Sequence, residues 1–373
     1  MLKVAIVGCG KIADDHAEQI QRIKDCEIVA VCDREPLMAR QICQRFPIKQ
    51  HFSDLDVLLA EAKPDVVHIT TPPQSHFSLA KQCLEAGSHV YVEKPFAIDE
   101  RQVRELIAFA EARGLKVTAG HDDQFRHSAR LMRELIQSGY LGGPPVHMES
   151  YFCYEMGSGG FAGALLNDKN YWVRKLPGGL LHNIISHGVA RIAEYITTDT
   201  PTVIAHGFIS PFLRSKGEDQ LIDELRVIVS EEKGTTAYFT FSSQMRPSLH
   251  QFRAYGSKNG VVLDQDQETV IKLRGSRYVS YVEKFVPPVA MAKQNMSNAV
   301  TNVRRFLKRD FHMKSGMKFL MESFYQSITE GRPVPIPYRE IILTAHIMDQ
   351  IFSQIGPKAE VAVAVPSLEP ALR

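Results

Sequence analysis

Within the first 120 residues, short apolar runs alternate with amphipathic segments, and few folds accept that rhythm. The runs LKVAIVG, EIVAVCD, KQHF, DVVHIT, HVYVE and LKVTAG read as strands, KQHF being the weakest. Their near-continuous apolar character suits a parallel sheet covered on both faces by the intervening helices. Ser75 is placed to cap a helix that ends at Gly87, and Asp99 followed by Gln102 resembles a capping box ahead of a helix stopped at Gly114. The expected class is therefore α/β, opening with a doubly wound parallel sheet.

At 373 residues the chain exceeds what one core usually supports, so a second domain is expected. A helix from His127 to Ser138 leads into LGGPPVHMESYFCYE, where glycine and proline precede an alternating strand. The boundary is accordingly placed at residue 122, giving domains 1–122 and 123–373. In the second, TVIAHGFIS, ELRVIVSEEKGTTAYFTFSS, HQFRAYGSKNGVVLDQ and TVIKLR alternate as strands of a large, mainly antiparallel sheet open on one face. Helical spacing runs from Val289 to Lys308 and again from Glu340 to Gln354, and the tail after Pro357 has no assignment.

Composition narrows the partners. Hydrophobic residues at 44%, charged residues at 23% and a formal charge of +2 give no whole-protein reason to expect nucleic acid or a membrane. No apolar run approaches the ~20 residues of a membrane span, and the N-terminus lacks a signal-peptide pattern, so a cytoplasmic protein without integral membrane association is expected. The six cysteines form no C-x-x-C pair and are expected to be reduced and packed. The histidines offer no zinc spacing, and the adjacent groups of GHDD at 120–123 point to opposite faces of a strand, so no metal is expected.

VAIVGCGKIADDH places Gly8, Gly10 and Ala13 as G-x-G-x-x-A, directly after a strand and opening a helix. Gly8 permits the tight turn, Gly10 lets the backbone approach a pyrophosphate, and Ala13 allows close helix packing. The helix that begins at Lys11 and Ile12 offers free N–H groups and positive potential. Asp33, ending the second strand, is placed to accept hydrogen bonds from the adenosine ribose. It repels a 2′-phosphate and favours NAD, while the adjacent Arg34 can pair with that phosphate and admit NADP. The first domain is thus expected to be a dinucleotide-binding Rossmann domain.

With ITTPPQSH at 69–76 and AGSHVYVEKPFAI after the fifth strand, the chain resembles the Gfo/Idh/MocA family of oxidoreductases. The likeness continues through GGPPVHMESY, WVRKLPGGLLHNIISH, AYGSKNGVV and EGRPVPIPYREIILTAHIMDQI. It implies that Lys94 lies beside the nicotinamide and contacts the reacting oxygen of a sugar-like substrate, with Glu93 orienting the lysine or the cofactor. A cis bond before Pro95 would fix the lysine's direction. Thr71 and Pro72 are implied to line the nicotinamide ribose, and His76 begins the next helix.

In the second domain the family carries a glycine pair, then an aspartate and, four residues later, a histidine; this chain has Gly178, Gly179, Asn183 and His187. His187 is implied as the acid/base. Asn183 departs from the aspartate and can only position substrate by hydrogen bonding. Tyr171, Trp172 and Arg174 fall near the family's cofactor and substrate contacts, with Val173 as an insertion, and Gln124 and Arg126 fall where the family's inter-domain segment edges the pocket, a surface role being the alternative. His182 is read as structural.

The resemblance implies a dehydrogenase acting on a secondary hydroxyl or carbonyl of a sugar, possessing a homodimeric or homotetrameric assembly through the open sheet. Asn183 and the basic run 303–318 rank nucleotide sugars first; a solvated helix face or loose attraction to an anionic membrane are the run's other readings. A dinucleotide-binding regulatory protein and an NAD-using glycosidase of the same fold are the rival classes.

Overall fold

The computed structural model describes residues 1–155, 160–232, 234–275, 278–279, 281–311 and 314–355, with only the backbone at 160–163. The tail after Pro357 therefore lies outside the described residues, as do positions 312 and 313 of the basic run.

Six strands follow the apolar runs of the first 120 residues: β1 Leu2–Val7, β2 Cys26–Cys32, β3 Gln50–Phe52, β4 Val66–Ile69, β5 His89–Val92 and β6 Val117–Ala119. They form one parallel sheet in the order β3-β2-β1-β4-β5-β6. Because the order reverses between β1 and β4, the connections after those two strands leave in opposite directions, opening a crevice at their carboxyl ends. Every residue of β4 is buried, as expected for a strand covered on both faces.

Seven further strands complete a second sheet: β7 His147–Cys153, β8 Thr202–Phe208, β9 Glu224–Ser230, β10 Thr236–Ser242, β11 Leu249–Tyr255, β12 Asn259–Asp264 and β13 Thr269–Arg274. Their order is β13-β12-β11-β7-β10-β9-β8, and the pair β7–β10 is parallel while the rest are antiparallel. Alternation sets Val227, Val229, Ala237, Phe239 and Phe241 into the core, while Ile228 and Tyr238 stand exposed on the open face.

The first core is finished from the far end of the chain. Met317, Leu320, Met321, Phe324 and Tyr325 of the helix Ser315–Thr329 join it, followed by Ile336 and Ile341. The last helix, Tyr338–Ile355, then runs on into the second core through Leu343, Ile347 and Ile351. All six cysteines are free thiols.

Two local expectations change. Ser75 does not cap the helix His76–Glu85 with its side chain; its hydroxyl donates to the Pro72 carbonyl at 2.9 Å and shares a hydrogen bond with the Thr71 hydroxyl at 2.7 Å, which stiffens the preceding loop instead. The helix expected from Val289 spans Val282–Leu307 and passes through Pro287 and Pro288. The prolines forgo their own intrahelical bonds, yet the helix runs on through them; ahead of it the Glu283 carboxylate accepts from the Tyr278 N–H. Asp99, by contrast, caps as expected, accepting from the Gln102 N–H at 2.7 Å.

Phe324 is fully buried in the first core. Phe324→Ala should lower unfolding stability by about 3–5 kcal/mol, measured by urea denaturation. An unchanged midpoint would show that the returning helix is not an integral part of that core.

Candidate active site

The turn after β1 carries the first half of the site. Gly8 has φ +96°, and a Cβ there would stand 2.6 Å from Thr71 Cγ2 and 2.8 Å from the Thr71 nitrogen, so the turn accepts only glycine. Gly10 caps the helix Lys11–Ile20 without any side-chain bond to its free N–H groups, and nothing lies within 4 Å of where a Cβ would be. An anion can approach these groups unobstructed. Gly8, Gly10, Asp33, Arg34, Thr71 and Pro72 line one cavity of about 420 Å³. Asp33 already accepts from the Cys9 N–H at 2.7 Å and the Glu35 N–H at 2.9 Å, which aims its carboxylate at the crevice rim. These features fit a dinucleotide.

Lys11, Ile12 and Ala13 support the cavity without lining it: Lys11 is exposed, Ile12 packs against the core and Ala13 is buried. His76 is also buried, its ring nitrogens each 2.8 Å from a carbonyl, one of Pro95 and one of Thr71. It ties the loop after β4 to the loop after β5. Burial holds its pKa below the usual imidazole value, so the neutral ring donates to one of the two carbonyls.

At the end of β5 the charged pair divides. Glu93 turns inward to His16 Nε2 at 2.8 Å; His16 Nδ1 meets His68 Nδ1 at 2.9 Å, and His68 Nε2 meets the Tyr325 hydroxyl at 2.8 Å. Burial alone would raise the Glu93 carboxyl, but the hydrogen bond and charge of His16, with Lys94 beside it, bring it to about 2. Lys94 reaches the other way, donating from Nζ to the Asn183 carbonyl at 2.9 Å. The Lys94–Pro95 peptide is cis. Burial lowers the lysine's pKa, against the opposing charges of Glu93, Asp122 and Asp123.

Asn183 is the last residue but one of the short helix Gly179–Ile184 and His187 the second of Ser186–Ala193, with Ile185 between the helices right-handed, so the chain keeps turning in one sense. His187 is 9% exposed, and its Nδ1 lies 3.6 Å from Asp123 Oδ2, an electrostatic contact beyond hydrogen-bond length. Burial, the largest influence, takes the imidazole to about 4; Asp123 opposes this and Lys94 reinforces it. His121, its ring 6.0 Å from His187, is held near 3 by burial and by the charges of His187 and Lys94.

The sequence reading does not place Asp123, His121 and Asp122 among the catalytic residues; the acid doublet immediately after the last strand of the first sheet is the signal that points to them. For Asp123, burial is outweighed by the charges of His187, Arg126 and Arg191, which hold its carboxyl well below the usual range. Asp122 is pushed up by burial and by its neighbours Asp123 and Glu93. Arg126 Nε stands 3.1 Å from Asp123 and holds its carboxylate, while Gln124 donates to the Ala190 carbonyl and to Glu194 and so braces the helix that carries His187.

Arg174 is not brought to this cluster by any polar contact. Its guanidinium is taken up by Glu218 at 2.6 Å and by the Leu165 carbonyl. Tyr171 packs beside Leu165 and Val173, and the adjacent Trp172 carbonyl accepts from Gln74 at 3.0 Å, joining this loop to the cofactor side. His182 is buried and stacks on Phe352. Of the basic run, Lys314 turns toward the first domain and pairs with Asp15 at 2.9 Å, whereas Arg304 is exposed on the long helix.

Known proteins resemble this chain in sequence and in fold. Residues 2–121 match the model of an oxidoreductase family with an NAD-binding Rossmann fold, and residues 129–262 match the GFO/IDH/MocA C-terminal domain. The chain belongs to the Gfo/Idh/MocA family. It is 34% identical over 142 residues to D-glucoside 3-dehydrogenase of Escherichia coli, a match covering 38% of this chain and only 40% of that protein. Its fold is similar to that of a UDP-N-acetylglucosamine 3-dehydrogenase from Acidithiobacillus ferrooxidans, with a TM-score of 0.71, 20% identity, and coverage of 95% and 97% of the two chains. A dehydrogenase from Bordetella pertussis solved with NADH and UDP-GlcNAcA gives a TM-score of 0.75 at 16% identity, covering 95% of each chain.

Because the folded value of His187 lies near 4 and its ordinary value is 6.5, the neutral ring stabilises the fold fully above pH 6.5, and that contribution is lost as pH falls toward 4. Nitrogen NMR of the labelled protein should therefore show His187 still neutral at about pH 5.5. A midpoint at the ordinary imidazole value would show that burial and Lys94 do not act on the ring.

Proposed function

We propose that this protein is an NAD(P)-dependent dehydrogenase that transfers a hydride between the nicotinamide and a secondary hydroxyl or carbonyl of a sugar, with nucleotide sugars the first substrate class to test. The observation that carries this reading is the convergence of Lys94 from the end of β5 and His187 from the second domain, beside a glycine-lined dinucleotide cavity. The sugar substrates named for the Escherichia coli and Acidithiobacillus ferrooxidans proteins support the substrate class.

Gly8 and Gly10 would hold the pyrophosphate and Asp33 the adenosine ribose, favouring NAD; Arg34 is the residue through which NADP would be accepted. The bound cofactor supplies the hydride acceptor or donor. Lys94 donates a hydrogen bond to the reacting oxygen, exchanging the Asn183 carbonyl for substrate. His187, neutral at physiological pH, takes the hydroxyl proton in the oxidative direction and returns it in the reverse direction. Asp123 stabilises the imidazolium so formed, at 3.6 Å. The Asn183 side-chain amide orients the sugar without accepting its proton. Thr71 and Pro72 shape the cavity beside the nicotinamide ribose, and Glu93, held by His16, sets the direction of Lys94.

Purified protein should produce reduced-nicotinamide absorbance with NAD and at least one member of a panel of nucleotide sugars, free sugars and polyols. Lys94→Ala and His187→Asn should each lower kcat by about 10²- to 10⁴-fold while dinucleotide binding persists. Silence across the panel despite tight dinucleotide binding would overturn the dehydrogenase reading in favour of a regulatory or redox-neutral role.

A further inference from the structure

The helix Val282–Leu307 is built the wrong way round for a surface helix in water. None of its 26 residues is buried. It is attached by amides, not by apolar packing: Gln294 exchanges two hydrogen bonds with Lys272, donating to its carbonyl at 3.1 Å and accepting from its N–H at 2.8 Å. Asn298 donates to the Val270 carbonyl at 3.0 Å and Asn302 to the Gln267 carbonyl at 2.9 Å. Since β13 is an edge strand, Gln294 and Asn298 cover backbone groups that would otherwise be open to pairing, and Asn302, four residues on, ties down the turn before the strand.

Residues four apart share a helix face, so the opposite side is also defined. It carries Phe285, Val289, Met296, Val300, Val303 and Leu307, which are 68%, 56%, 67%, 42%, 59% and 74% exposed. An ordinary amphipathic helix turns its apolar stripe to the core and its polar face outward; here the polar face is docked and the apolar stripe faces solvent. A continuous stripe of this length marks a surface that something covers.

Charge selects the occupant. Exposed Lys284, Lys293 and Arg304 of the helix, with Lys308 and Arg309 just beyond it, stand against Glu283 in the helix and Asp310 after it. A second copy of the same helix would set these five cations against one another with only two carboxylates on each side to offset them. An anionic bilayer supplies both needs together, an acyl boundary for the stripe and phosphate charge for the flanking cations. No described helix is long and apolar enough to cross a membrane, which leaves this one lying in the interfacial plane. We propose that the helix Val282–Leu307 docks the protein peripherally on an anionic phospholipid surface, its apolar stripe inserted and its amide face holding β13.

Flotation of the full chain with vesicles tests this directly. The protein should rise with vesicles of equal parts phosphatidylcholine and phosphatidylglycerol and stay behind with phosphatidylcholine alone. Phe285→Ser combined with Leu307→Ser should reduce partitioning by about tenfold or more, and Arg304→Glu with Lys308→Glu should remove the preference for phosphatidylglycerol. All four positions are exposed, and unchanged thermal unfolding of the variants confirms that each is folded. Absence of flotation with either vesicle overturns the proposal, as does flotation insensitive to these substitutions. A concentration-dependent oligomer dissociated by the apolar double substitution, without vesicle binding, would assign the stripe to a second copy.

Discussion

A charged pair at the end of a buried strand must send its two charges somewhere, and in this protein they part. Glu93 goes into the first domain, where His16 meets it and His68 and Tyr325 extend the chain of polar contacts. Lys94 goes outward, across the crevice, to the backbone of Asn183 in the second domain. The placement of the site depends on that division. Were both charges to face the crevice, the carboxylate would neutralise the lysine; were both to turn inward, nothing would link the strand end to the second domain.

Around this link the protein assembles an environment that keeps imidazoles neutral. His121 and His187 are buried near the Lys94 ammonium, and each is pushed far below its ordinary value. Asp123 remains ionised beside them because Arg126 and Arg191 offset its burial. A neutral base next to a fixed anion suits the reception of a proton, since the charge that forms on the ring is stabilised where it appears. Gln124 serves that geometry from behind, bracing the backbone of the helix that carries His187, and Arg126 holds the Asp123 carboxylate.

The long helix shows how one constraint can create another. An exposed sheet edge invites pairing with other chains, and covering β13 with side-chain amides removes the hazard. Amides placed four residues apart occupy one face of the helix, so the apolar residues between them are left on the other. The surface that results is open and cationic at its flanks.

Much of the first domain was legible locally. A strand, a glycine turn and a helix are encoded within a few residues, so the positions of Gly8, Gly10 and Asp33 around one cavity could be anticipated from spacing alone. The alternating runs of the second domain likewise announce strands with one open face, because a period of two is written in consecutive residues. What a linear reading could not supply was anything decided by distant segments. Phe324 and Tyr325 complete a core begun more than two hundred residues earlier in the chain, and no local pattern says which core a helix will join. Only folding sets Asp123 beside His187, and Arg174, expected near the cofactor and substrate contacts, is claimed by Glu218. The sequence by itself determined the elements and the dinucleotide turn, since those follow from short-range sterics and periodicity. Tertiary structure alone decided which charges meet and how dry their surroundings are, because burial and Coulomb energy depend on distances in space.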